Sequence, residues 1–188
     1  MGLKLQSRFP GGNGQLVQLD NGGEIPEITF AAEPHGGSAA LWFCFRLAED
    51  DPDAPHPAKL KLTLRYADTM LDGGNGAQLH PVYQPEQQGW YRTAAGVEAH
   101  TPDGRVSVSW LIPYPSPMTL VALCYPYGRR DLDTLVSKCR GFWSADAIGL
   151  SRGGRNLRRL SNRYGSTTSP APGVYLLARQ HAGETPAS

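Results

Sequence analysis

The sequence predicts a mainly β protein. An antiparallel β-sandwich of jelly-roll type is expected over residues 1–125, followed by an incomplete α/β segment over 126–188. Three observations carry this reading. Two stretches alternate with the two-residue period of a half-buried strand. In one, Leu60, Leu62, Leu64 and Tyr66 face away from Lys59, Lys61, Thr63 and Arg65; in the other, Val106, Val108, Trp110 and Ile112 face away from Ser107 and Ser109. Turn clusters such as "DNGGE", "EPHGGS", "LDGGNGA" and "TPDG" separate short apolar runs, with almost no helical period between them. After "CYPYG" the period changes, and Leu132, Leu135, Val136 and Cys139 form one stripe at helical spacing. The boundary between the two parts is therefore expected near Tyr125–Gly128.

Along the chain, Gln15–Leu19 and Glu27–Phe30 read as weaker strands. Leu41–Leu47 puts Leu41, Phe43, Phe45 and Leu47 on one face and Trp42, Cys44 and Arg46 on the other, as a central strand would. The two alternating stretches follow, with weaker strands at Gln78–Tyr83, Trp90–Thr93 and Thr119–Cys124. In the helical segment Asp131 and Asp133 lie near the start and Lys138 and Arg140 near the end, which suits the helix dipole; Gly141 is a stop. Ala147–Ser151 and Leu157–Ser161 read as two strands about a tight turn. "YGSTTSPAP" (164–172) reads as a loop, and Val174–Ala178 as a strand buried on both faces of an α/β sheet.

The 188 residues allow one domain, or one and part of another. Hydrophobic residues make up 40%, charged ones 19%, and the net charge is +1, so nothing global points to nucleic acid or an acidic membrane surface. The N-terminus has neither a signal-peptide core nor a myristoylation pattern, and no run is long enough to span a bilayer. A cytoplasmic protein is expected. The three cysteines, Cys44, Cys124 and Cys139, lack metal or redox spacing and read as free thiols.

Most candidate chemistry has a plainer explanation. His35, His56, His80 and His100 each sit in or beside a turn, and "HTPD" (100–103) is a turn despite its His-to-acid spacing. Trp42, Trp90 and Tyr91 could form a ligand platform, but aromatics are the usual filling of sandwich cores. Arg152, Arg155, Arg158, Arg159 and Arg163 raise a nucleic-acid reading, yet no aromatics interleave them before Tyr164; a solvated hairpin face is preferred. His181 and Glu184 differ. They follow the C-terminal end of an apolar strand, where open α/β sheets build sites. An imidazole nitrogen and a carboxylate are both good zinc ligands, though a catalytic zinc needs a third protein ligand besides water.

The closing "GVYLLARQHAGETPAS" resembles the first zinc motif of the M14 family of zinc carboxypeptidases. "YPYGRRDLDTLV" resembles the segment that opens the catalytic domain in its cytosolic-carboxypeptidase branch, and "IGLSRGGRNLRRLSN" the Ser-x-x-Gly-Arg hairpin ahead of the motif. The resemblance implies that 1–125 is the N-terminal β-sandwich domain and 126–188 the start of the catalytic domain. It makes His181 and Glu184 the first two ligands of a zinc ion. In the complete enzyme that zinc would polarise the scissile carbonyl and activate water, with a glutamate as base, to release C-terminal residues from peptides or proteins. The second ligand histidine and the glutamate base are expected beyond Ser188. The expectation is thus an N-terminal portion, inactive alone, with zinc weakly held, no nucleic-acid or membrane partner, and self-association through an exposed sheet edge. The alternative is a β-sandwich module that binds protein or carbohydrate without catalysis.

Overall fold

A computed structural model describes residues 2–34, 39–51, 53, 56–70, 76–114, 116–139 and 141–162. The chain divides after Pro126 into two compact units.

The first unit is built from ten strands in two five-stranded sheets. They are β1 (Leu3–Gln6), β2 (Gln15–Asp20), β3 (Glu27–Ala31), β4 (Cys44–Glu49), β5 (Lys59–Arg65), β6 (Val82–Pro85), β7 (Tyr91–Arg92), β8 (Val97–His100), β9 (Val106–Pro113) and β10 (Met118–Ala122). One sheet runs β1-β4-β10-β6-β7 and the other β2-β3-β5-β9-β8. All pairings are antiparallel except β3 with β5, where Ile28 faces Leu62 and Phe30 faces Leu64 in parallel register. The cause is the chain path. After β3 the chain leaves its sheet, supplies β4 to the other, and returns as β5, so β3 and β5 run the same way.

The alternation in the sequence becomes the core. Ile28, Phe30, Leu60, Leu62, Leu64, Val108, Trp110 and Ile112 of one sheet and Phe45, Leu47, Tyr83 and Val121 of the other belong to one buried cluster. Phe30 sits at its centre, edge-on to Phe45 with ring centroids 4.7 Å apart and to Phe43 at 5.2 Å. Such aromatic pairs add about 0.5–1.5 kcal/mol beyond area burial. The Trp110 indole N–H donates to the Leu79 carbonyl oxygen, so its one polar atom is satisfied.

Several local expectations change. Tyr66 does not extend the inner face of β5: its φ of 62° turns the chain out of the strand. Its ring instead meets two guanidiniums, with Arg65 4.9 Å and Arg105 4.7 Å from its centroid. Gln78 closes a short 3-10 turn, Gly76–Gln78, and the strand begins only at Val82. Two strands escaped the reading of the sequence. β1 is only four residues long, and every residue of β8 is exposed, so it shows no apolar face.

The second unit contains α1 (Arg129–Lys138) and a hairpin of β11 (Ser144–Leu150) with β12 (Asn156–Ser161). The Asp131 carboxylate accepts the Gly128 N–H at 2.7 Å, capping the first turn of α1. Gly141, with φ of 89°, follows its end. No residue of α1 is buried, despite its apolar stripe. Val174–Ala178 lies outside the described residues.

Candidate active site

His181 and Glu184 lie outside the described residues, as do His35 and Arg163. Among the described residues, no group of three or more His, Cys, Asp or Glu side chains is placed to hold a metal ion. What the structure does describe is the α1 and hairpin segment that precedes the two expected ligands in the sequence.

Its turn explains the Ser-x-x-Gly-Arg pattern in local physics. The Ser151 N–H donates to Arg155 O at 2.8 Å, the Gly154 N–H donates to Ser151 O at 2.9 Å, and the Ser151 hydroxyl oxygen accepts the Arg155 N–H at 3.1 Å. Gly154 has a φ of 71°, a conformation that favours glycine. The serine and the second glycine are thus turn-formers in this hairpin.

The arginines that follow are tied down. Arg159 stands opposite Asp146 in the β11–β12 register and donates to both of its carboxylate oxygens, at 3.1 and 2.8 Å. Arg158 pairs with Asp133 of α1, which joins hairpin to helix within this unit. The Arg158 hydrogen bond holds the Asp133 carboxyl below the usual carboxylate range. Arg152 and Arg155 project from the turn and are exposed. Reading the sequence missed both acid partners. The turn alone would not have found them: its register sets Gly149 opposite Leu157, and only the bulge between Ala147 and Gly149 brings Asp146 opposite Arg159.

The other candidates are scattered. His56 packs edge-on to Tyr114, with centroids 5.8 Å apart. The Nδ1 of His80 lies 3.3 Å from Thr93 O, and His100 sits on the exposed strand β8. In "HTPD", Asp103 accepts the Thr101 hydroxyl and Gly104 N–H donates to Thr101 O at 2.9 Å, which is a turn. Trp42 and Trp90 pack against the small cluster of Cys44, Val82 and Ala122. Tyr91 is exposed and stacks on Tyr83 at 5.5 Å. The cysteines are free, and burial pushes the Cys44 thiol up to about 12, away from nucleophilic use. Among the described residues no helix is long and apolar enough to cross a membrane.

No family model matches the sequence, and no curated protein matches it significantly. The fold does have matches among solved structures. A metallo-carboxypeptidase from Burkholderia cenocepacia superposes with a TM-score of 0.64 at 16% identity, over 89% of this chain and 41% of that one. A metallo-carboxypeptidase from Pseudomonas aeruginosa, solved with (2-guanidinoethylmercapto)succinic acid, gives 0.61 at 20% identity, over 85% of this chain and 40% of that one. The likeness is one of fold, and this chain spans about two fifths of the length of those structures.

Proposed function

We propose that this chain is the N-terminal portion of a zinc-dependent metallocarboxypeptidase of the M14 type, cytosolic branch. Residues 1–125 would be its β-sandwich domain and 126–188 the start of its catalytic domain. One observation carries the reading: the fold matches metallo-carboxypeptidase structures over most of this chain but only about two fifths of theirs. The substrate class that follows is a peptide or protein C-terminus, and His181 and Glu184 are the proposed first two zinc ligands. The described residues offer no metal-binding group of their own, so the metal rests on that pair. With two ligands, the 188-residue chain holds zinc weakly and turns over no substrate alone. The exposed Ile148, Leu150 and Leu157 of the hairpin support self-association of the second unit.

A zinc titration against a chromogenic chelator tests this. The expected result is weak binding that His181→Ala and Glu184→Gln each abolish, and no release of C-terminal residues from a peptide. Zinc binding unaffected by both substitutions overturns the ligand assignment. Peptide hydrolysis lost on chelation and in Glu184→Gln overturns the inactivity.

A further inference from the structure

We propose that the outward face of the first sheet binds an acidic peptide segment, gripped by Arg46 and Arg8 and seated on Leu120 and Met118. The inference concerns the first unit alone and stands independently of the zinc reading.

The geometry starts from register. Gln6, Arg46, Leu120 and Gln84 stand opposite one another across β1, β4, β10 and β6. Their neighbours Phe45, Leu47, Val121 and Tyr83 fill the core, so this row faces outward. Further along the same face, the Cys44, Val82 and Ala122 cluster is covered by Phe9, Trp42 and Trp90. Around Arg46 the sheet is open. Arg46 is the shared wall of two shallow cavities. One, of about 250 Å³, is lined by Gln84, Gln88, Met118 and Leu120 among others. The other, of about 360 Å³, is lined by Leu5, Gln6, Arg8 and Phe9 among others.

Lys61, Arg105, Arg158 and Arg159 each have a carboxylate within ion-pair distance. Arg46 and Arg8 have no acidic partner among the described residues; the Arg46 guanidinium merely lies 5.7 Å from the centroid of the Phe9 ring. A guanidinium with its fork free matches a carboxylate in two parallel hydrogen bonds. The glutamines supply donors and acceptors suited to a peptide backbone. Met118 and Leu120 offer apolar contact to intervening side chains, methionine with the adaptability such surfaces use.

The charge pattern selects the occupant. A nucleic-acid strand needs a longer cationic track and stacking rings. Here two arginines stand at one end, and Glu86 lines the first cavity at the other, where it repels phosphate. A peptide satisfies both ends if its carboxylates sit by Arg8 and Arg46 and its uncharged residues lie toward Glu86.

The test uses the full 188-residue chain and a fluorescein-labelled peptide of alternating glutamate and leucine, read by fluorescence anisotropy. A lysine–leucine peptide and a single-stranded oligodeoxynucleotide of equal length serve as competing probes. The acidic peptide is expected to bind, less tightly as salt rises. Arg46→Gln should weaken it about tenfold, equivalent to about 1.4 kcal/mol. Arg46→Lys should recover part of the loss, and Arg130→Gln on α1 should change nothing. Amide shifts on titration should centre on Gln6, Arg46, Leu120 and Gln84, a readout that needs no variant to fold. No binding of the acidic peptide, binding unchanged in Arg8→Gln/Arg46→Gln, tighter binding of the oligonucleotide, or shifts confined to other surfaces would each overturn the proposal.

Discussion

The two units are held together by different physics. In the described part of the first, 22 apolar residues are buried, most of them in the cluster between the two sheets. In the described part of the second, no residue is buried, while Leu135, Phe142, Ile148, Leu150 and Leu157 are exposed. Hydrophobic stabilisation scales with apolar area removed from water, about 25 cal/mol per Å². The first unit has two sheet faces to press together. Among the described residues of the second, one helix and a two-stranded hairpin have no second layer to bury against. What its described residues show instead is a hydrogen-bonded ladder, a helix cap, and the pairs Arg158–Asp133, Arg159–Asp146 and Arg129–Asp133. Partly exposed ion pairs of this kind are each worth about 0–1 kcal/mol. Secondary structure is thus equally visible in both units, but among the described residues only the first shows the burial that stabilises it independently.

The largest test of this contrast is truncation. Phe30→Ala removes a fully buried ring that touches Phe43 and Phe45. The expected loss is about 3–5 kcal/mol in urea unfolding of the first unit. Leu157→Ala on the half-exposed hairpin should shift stability by no more than about 0.5 kcal/mol. Similar losses at the two positions would break the comparison.

Hydrogen exchange gives the next effect. Amides of Leu60–Leu64, in the centre of a sheet, should exchange only on global unfolding. Those of Ala145–Leu150 should open locally and exchange at least about a hundredfold faster, a difference of about 2.8 kcal/mol. Equal protection in a dilute monomer would show that the second unit is stable without further burial. Slowing that appears only as concentration rises would instead support self-association.

A smaller effect runs the other way. Thr119 is fully buried, and its hydroxyl has no hydrogen-bond partner among the described residues. Thr119→Val keeps the shape and removes the unpaired group, so thermal unfolding should show a gain of about 1 kcal/mol. A loss would mean that the hydroxyl is satisfied in solution.

Acid should produce the smallest change. Burial opposes ionisation of Asp68, but Arg105, with its Nε 2.6 Å from the carboxylate, and the Val106 N–H outweigh it and hold the carboxyl low. Asp133 is held low by the Arg158 hydrogen bond. A depressed folded-state pKa contributes stability that is present above the ordinary aspartate value of about 3.9 and is lost as pH falls through the lower folded value. Acid titration should therefore weaken both units below about pH 4. Asp68→Asn should flatten that limb for the first unit, read at the Trp110 indole resonance. Asp133→Asn should flatten it for the second, read at Trp143. An acid limb unchanged by either substitution would remove these pairs from the account.

Strand content was legible because alternation is a local property. Leu60, Leu62 and Leu64 announce an inward face without reference to any partner. The helix was legible for the same reason, with Leu132, Leu135 and Val136 at helical spacing. Tyr66 misled because its position continues the period while its backbone, with φ of 62°, leaves the strand to open the short turn Ala67–Thr69. Strand β8 was invisible because an exposed edge has no apolar face. Of the candidate site, His181 and Glu184 stood out by residue type and by following an apolar run, and they rest on that reading. The tethering of Arg158 and Arg159 was hidden because their acid partners lie 25 and 13 residues away.

By itself, then, the sequence determined that residues up to Tyr125 form short strands, that a helix and a hairpin follow, and which side of each strong strand turns inward. Periodicity and turn chemistry act over a few residues, so one chain suffices to read them. Only the tertiary structure decided the strand orders β1-β4-β10-β6-β7 and β2-β3-β5-β9-β8, the parallel pairing of β3 with β5, and the open setting of Arg46. Those depend on contacts between residues far apart in the chain. In the sequence Arg46 is one polar residue on a strand's second face. It becomes a central, unpaired cation only when β1 and β10 close on either side of β4 and neither brings an acid to it.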